Sequence, residues 1–147
     1  MSEDSTRIVA IACDHGGVDL KTVLKDELAA RGLEVLDLGT DGSASVDYPD
    51  FANALAAALA EGRAARGVLI CGSGIGISIA ANRHPHIRAA LVHDALTARL
   101  CREHNDANVV AFGARVTGVE TARDALRVFL DTPFEGGRHQ RRVDKLG

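Results

Sequence analysis

The sequence predicts an α/β fold, a parallel sheet with helices on both faces. Three observations carry this. Short apolar runs alternate with stretches of helical periodicity along the chain, the pattern of βαβ units with right-handed crossovers. The runs RIVAIAC and GVLIC hold almost no polar residue, as strands covered on both faces require. Most of the runs end in glycine or an ionisable residue, and ligands of such sheets collect beyond the carboxyl ends of the strands.

Arg7–Cys13 reads as the first strand, stopped by Gly16-Gly17. Leu20, Val23, Leu24 and Leu28 keep helical spacing to about Arg31, where Gly32 ends the helix. Glu34–Leu38 is the second strand and Gly39–Asp50 a long polar loop. Pro49 suits the opening turn of a helix through about Gly62. Gly67–Cys71 is the third strand, followed by the turn Gly72–Gly76 and a short helix to about Asn82. Arg88–Val92 is a strand, Asp94–Glu103 a helix, Val109–Phe112 the fifth strand and Val119–Leu130 a helix. Pro133 and Gly136-Gly137 then break the chain ahead of a basic tail.

Length and composition bound the function. The 147 residues read as one domain, with 1–6 expected to be flexible and 133–147 a basic segment. Apolar residues at 46% and charged residues at 25% exclude general disorder, a disulfide mini-protein and a fibre. A net charge of −3 supplies no field for nucleic acid or an anionic membrane. Aromatics at 3%, with no Trp, argue against a base-stacking platform. No apolar run approaches the roughly 20 residues of a membrane span. Three scattered cysteines and a polar start point to free thiols in the cytoplasm.

The turn Cys71–Gly76, CGSGIG, is the most informative segment. It joins a strand to a helix, and its glycines let backbone N–H groups and the helix end face an anion. Its third glycine comes one position early for a dinucleotide fingerprint, although Asp94 stands near the distance of the acidic partner. A phosphate-loop lysine is absent. Cys71 stands at the mouth of the turn, where helix dipoles favour a thiolate; as the last residue of an apolar strand it is equally a core cysteine. Cys13 and Cys101 read as packing. Asp14-His15 is either a site or a cap over Gly16-Gly17. His104-Asn105 is either a site or the complement of a helix C-terminus. Arg138 and Arg142, at i and i+4, are either a phosphate clamp or a solvated face. His84, His86 and His93 lack partners at metal-ligand spacing, so no metal is expected.

Five segments together resemble a known family: CDHGG, DYP, ICGSGIGISIAAN, REHNDANVVAFGARV and EGGRHQRRV. From about Arg7 to Val143 the chain is similar to the ribose/galactose isomerase family, in its B-type ribose-5-phosphate isomerase group. The resemblance implies a three-layer α/β/α Rossmann-like sandwich with a five-stranded parallel sheet in the order 2-1-3-5-4. It implies interconversion of ribose 5-phosphate and ribulose 5-phosphate through a cis-enediolate, without cofactor. It makes Cys71 the base and gives backbone donors at Gly72, Gly74, Ile75 and Gly76, assisted by the Ser73 hydroxyl. His104 would open the sugar ring, Asn105 would contact the sugar, and Asp14 would handle hydroxyl protons. Tyr48 would line the pocket; His15, Arg115, Arg138 and Arg142 would hold the phosphate. It also implies a homodimer or dimer of dimers whose sites are shared, His104 and Asn105 coming from the subunit opposite Cys71.

The chain departs from some members in two respects. Ser73 replaces a threonine, keeping the hydroxyl. Members that lack Cys at this position carry a nearby glutamate, whereas Ile75-Gly76-Ile77 offers none. The chain also ends soon after Arg142, short of any longer C-terminal helix. Two other readings are a six-carbon phosphosugar isomerase, for allose 6-phosphate or galactose 6-phosphate, and a nucleotide-binding module.

Overall fold

A computed structural model describes residues 3–147. The apolar runs form β1 (Ile8–Cys13), β2 (Glu34–Asp37), β3 (Arg66–Cys71), β4 (Ala89–Leu91) and β5 (Val109–Gly113). All pairings are parallel, in the order β2-β1-β3-β5-β4. The inner strands β1, β3 and β5 are buried almost throughout, while β2 and β4 are half-buried edges. Burial explains why only the inner strands read as continuous apolar runs.

The helices are α1 (Val18–Ala30), α2 (Tyr48–Ala60), α3 (Ile75–Ala81), α4 (Ala95–Glu103), α5 (Val119–Asp131) and α6 (Arg138–Asp144). One face of the sheet is covered by α1, α4 and α5, through Leu24, Leu28, Cys101, Leu126 and Phe129. The other is covered by α2 and α3, through Leu55, Leu59, Ile77 and Ala81. The covering helix changes face whenever the chain reverses direction across the sheet, as crossovers of a single hand require. Among the described residues, no helix is long and apolar enough to cross a membrane.

Three local readings change. Glu3–Arg7 is a 3-10 turn with Ser5 buried, where a loose start was expected; residues 1 and 2 lie outside the described residues. Arg7 therefore belongs to that turn and β1 opens at Ile8. The basic tail is a helix, α6, seated by the burial of His139 and Val143. Its one buried side was too short a pattern to stand out among five charged or polar neighbours.

Candidate active site

The strand order reverses at β1, and ligands of such sheets collect beyond the carboxyl ends of the strands at that switch point, here β1 and β3. There Asp14 N–H donates to Ile70 O at 3.2 Å, joining the two strand ends. Asp14 is buried, and its Oδ1 accepts Gly16 N–H at 2.9 Å, so the capping role is present. Exposed His15 follows, its Nδ1 accepting Val46 N–H at 3.2 Å. That bond fixes a neutral His15 as the Nε2–H tautomer, a donor on its free side.

Cys71 closes β3 at 4% exposure, and its Sγ accepts Gly74 N–H at 3.1 Å. Gly74 makes this possible: its φ is 80°, and a Cβ would lie 2.6 Å from Leu91 Cδ1 and 2.9 Å from the Phe112 carbonyl carbon. Ile75 N–H donates to Ser73 Oγ at 3.1 Å. Two of the donors expected for an anion are therefore engaged inside the turn. The helical ladder of α3 begins with Ser78 N–H on Gly74 O, leaving the N–H groups of Gly76 and Ile77 ahead of it. A Cβ on Gly76 would stand 2.6 Å from Tyr48 Cζ, so the Tyr48 ring lies directly on the turn. Arg115 N–H donates to Gly72 O at 2.9 Å, which brings Arg115 to the same rim.

His104, Asn105, Arg138 and Arg142 are elsewhere. Helix α4 starts beyond β4 and runs back, so His104-Asn105 emerges at the amino-terminal edge of the sheet, just ahead of β5. Helix α6 docks there: His139 stacks on His104 with ring centroids 4.4 Å apart. His104, Asn105, His139 and Arg142 line a cavity of about 280 Å³. Arg138 and Arg142 are exposed on that helix. One chain thus carries two groups of candidate residues at opposite edges of one sheet.

One cluster among the described residues has metal-ligand composition: His104, Glu135 and His139, with ligand atoms within 4.8 Å of one another. Sequence spacing did not group them, because His104 follows α4, far along the chain from Glu135 and His139. The two imidazoles are stacked at an interplanar angle of 16°. Near-parallel rings point their lone pairs along parallel planes rather than at one centre, a poor arrangement for tetrahedral chelation. Glu135 Oε1 lies 3.3 Å from His139 Nε2, within ion-pair distance but without a hydrogen bond, which leaves that buried nitrogen with no hydrogen-bond partner among the described residues.

The profile of the Ribose/Galactose Isomerase family matches residues 9–146. The chain belongs to the ribose/galactose isomerase family. Among relatives in this family, ribose-5-phosphate isomerase B of Escherichia coli is 47% identical over 138 residues, 94% of this chain and 93% of that one. A D-erythrulose-4-phosphate isomerase of Pectobacterium atrosepticum is 43% identical over 140 residues, 95% and 92% of the two chains. The fold matches ribose-5-phosphate isomerase B of Clostridium thermocellum with a TM-score of 0.94 and 51% identity, covering 95% of each chain. It also matches that of Mycoplasma genitalium, solved with bound ribulose-5-phosphate, with a TM-score of 0.90 and 40% identity over 95% and 93%. Family membership makes this chain an isomerase and sets aside the nucleotide-binding alternative.

Proposed function

We propose that this chain interconverts ribose 5-phosphate and ribulose 5-phosphate in the cytoplasm, without metal or nucleotide. The observation that carries the reading is the Cys71 sulfur, held as a hydrogen-bond acceptor at the rim beside Asp14. Cys71 takes the proton from C2 of the open-chain aldose and returns it to C1. The negative charge that forms on the oxygens meets the Ser73 hydroxyl and those backbone donors of the Gly72–Gly76 turn that carry no internal bond, Gly76 N–H among them. Asp14 carries the hydroxyl proton between O2 and O1. His15, Arg115, Arg138 and Arg142 hold the phosphate, whose binding energy orients the reacting end. His104 opens the ring, Asn105 contacts the sugar and Tyr48 lines the pocket.

The wide separation of the two groups within a chain favours a site completed by a second copy, as a homodimer or a dimer of dimers. The erythrulose 4-phosphate relative favours a second reading, a four-carbon substrate. Turnover of four-, five- and six-carbon phosphosugars separates these readings. The expected result is the highest kcat/KM on ribose 5-phosphate, with Cys71→Ala losing C2 proton exchange while still binding the sugar. A clear preference for a shorter or longer sugar overturns the substrate, and an active Cys71→Ala overturns the base.

A further inference from the structure

The loop between β2 and α2 has no regular structure, yet it delivers Val46 to His15 and leads into Tyr48. At its start Cys13 N–H donates to Gly39 O at 2.7 Å and Thr40 N–H to Cys13 O at 2.8 Å. Residues 42–45 are exposed. Between these parts stands Asp41, whose Oδ1 lies 2.7 Å from Lys21 Nζ.

Lys21 is 1% exposed, on α1. A lysine so buried needs a partner, and Asp37 already provides one: its Oδ1 lies 2.7 Å from Lys21 Nζ. Asp37 is further held by Lys25 Nζ at 2.8 Å and by Gly39 N–H at 2.9 Å. Burial pulls the Lys21 pKa down, but the carboxylates of Asp37 and Asp41 outweigh it and leave it raised, so the ammonium stays charged. Asp37 is shared between Lys21 and Lys25, so Asp41 supplies the second carboxylate for two cations. The Asp41 side chain is 80% exposed, so the same contact also ties an outer loop to a buried cation. Asp41 and His15 also line one cavity of about 300 Å³.

We infer that Lys21 is a positioning residue: through Asp41 it tethers this loop so that Val46 N–H stays on His15 Nδ1 and His15 presents Nε2–H. Its effect on KM rests on the proposed phosphate contact of His15; its effect on the ring does not.

The test uses Asp41→Ala and Asp41→Glu in the full chain. Asp41 is exposed and outside the core, so both variants are expected to fold. Nitrogen-15 histidine spectra of the protein should show His15 as the Nε2–H tautomer, turning to a mixture in Asp41→Ala and returning in Asp41→Glu. KM for ribose 5-phosphate and the inhibition constant for inorganic phosphate should rise together about two- to fivefold in Asp41→Ala, with kcat unchanged. An unchanged His15 spectrum in Asp41→Ala overturns the tether. A changed spectrum with unchanged KM leaves the tether standing and overturns the phosphate role of His15, a result His15→Ala would repeat.

Discussion

The three cysteines differ at the level of single hydrogen bonds. Cys13 gives its S–H to Thr40 O at 3.5 Å and Cys101 to Ala98 O at 3.1 Å. Burial pushes both thiols up to about 11. Cys71 instead receives an N–H from Gly74. Of the three sulfurs it alone is arranged as an acceptor at a strand end, so bond direction sets Cys71 apart from the two cysteines read as packing. Iodoacetamide at pH 8 should therefore modify Cys71 first in the folded protein, with ribulose 5-phosphate slowing the reaction. Peptide mass spectrometry reads this; labelling of Cys13 or Cys101 at the same rate would contradict it.

Among the elements, α1 and α5 are joined by charge as well as by packing. Glu27 of α1 accepts from Arg127 at 2.8 Å and from Arg123 at 3.3 Å, both on α5. The Arg127 bond is the main cause holding the Glu27 carboxyl below its ordinary 4.5. A carboxyl lowered in the folded state binds fewer protons there than in the unfolded chain. Its stabilisation is thus complete above about 4.5 and is lost as pH falls through the lower folded value. Glu27→Gln should lower Tm by about 1–4 °C at pH 7, since both guanidiniums are partly solvated. Thermal melts of the two proteins should converge in acid; a gap that persists at pH 2 would assign the loss to packing instead. The same scale shows how far local pattern reaches. Ten of the helices and strands follow from periodicity and stop signals within a residue or two. The eleventh, α6, was visible only as the i, i+4 pair Arg138 and Arg142, because its stability comes from His139 and Val143 docking at the end of α4.

At the scale of the whole molecule, the sheet divides the candidate residues between its two edges. Cys71, Asp14, His15, Tyr48 and Arg115 are at one edge, and His104, Asn105 and Arg142 at the other. A two-fold pair related antiparallel brings unlike edges together twice. Cys71→Ala and His104→Ala should each be inactive alone. Co-expressed, they should recover about a quarter of wild-type turnover, since half of random dimers are mixed and each mixed dimer holds one intact site. Absence of recovery, with mixed dimers verified by mass, would mean that each site is built within one chain.

Element order was legible in the chain because it is local: helical or strand spacing with glycine and proline stops on either side. The isomerase chemistry came from the five-segment family resemblance, since the glycine turn and the thiol at its mouth, taken alone, fitted a site and a packed core equally. The sheet order agreed with the family resemblance, but spacing alone could not have supplied it. Tertiary structure decided what depends on non-local contact. Pairing β1 with β3 joined Asp14 to the Cys71 turn, and the reversed course of α4 carried His104 away from it. Burial of Lys21 against Asp37 left a cation for Asp41 to hold. Strand neighbours, helix direction relative to an edge and the partner of a buried charge are set by which surfaces exclude water together, and residue order along the chain does not encode that locally.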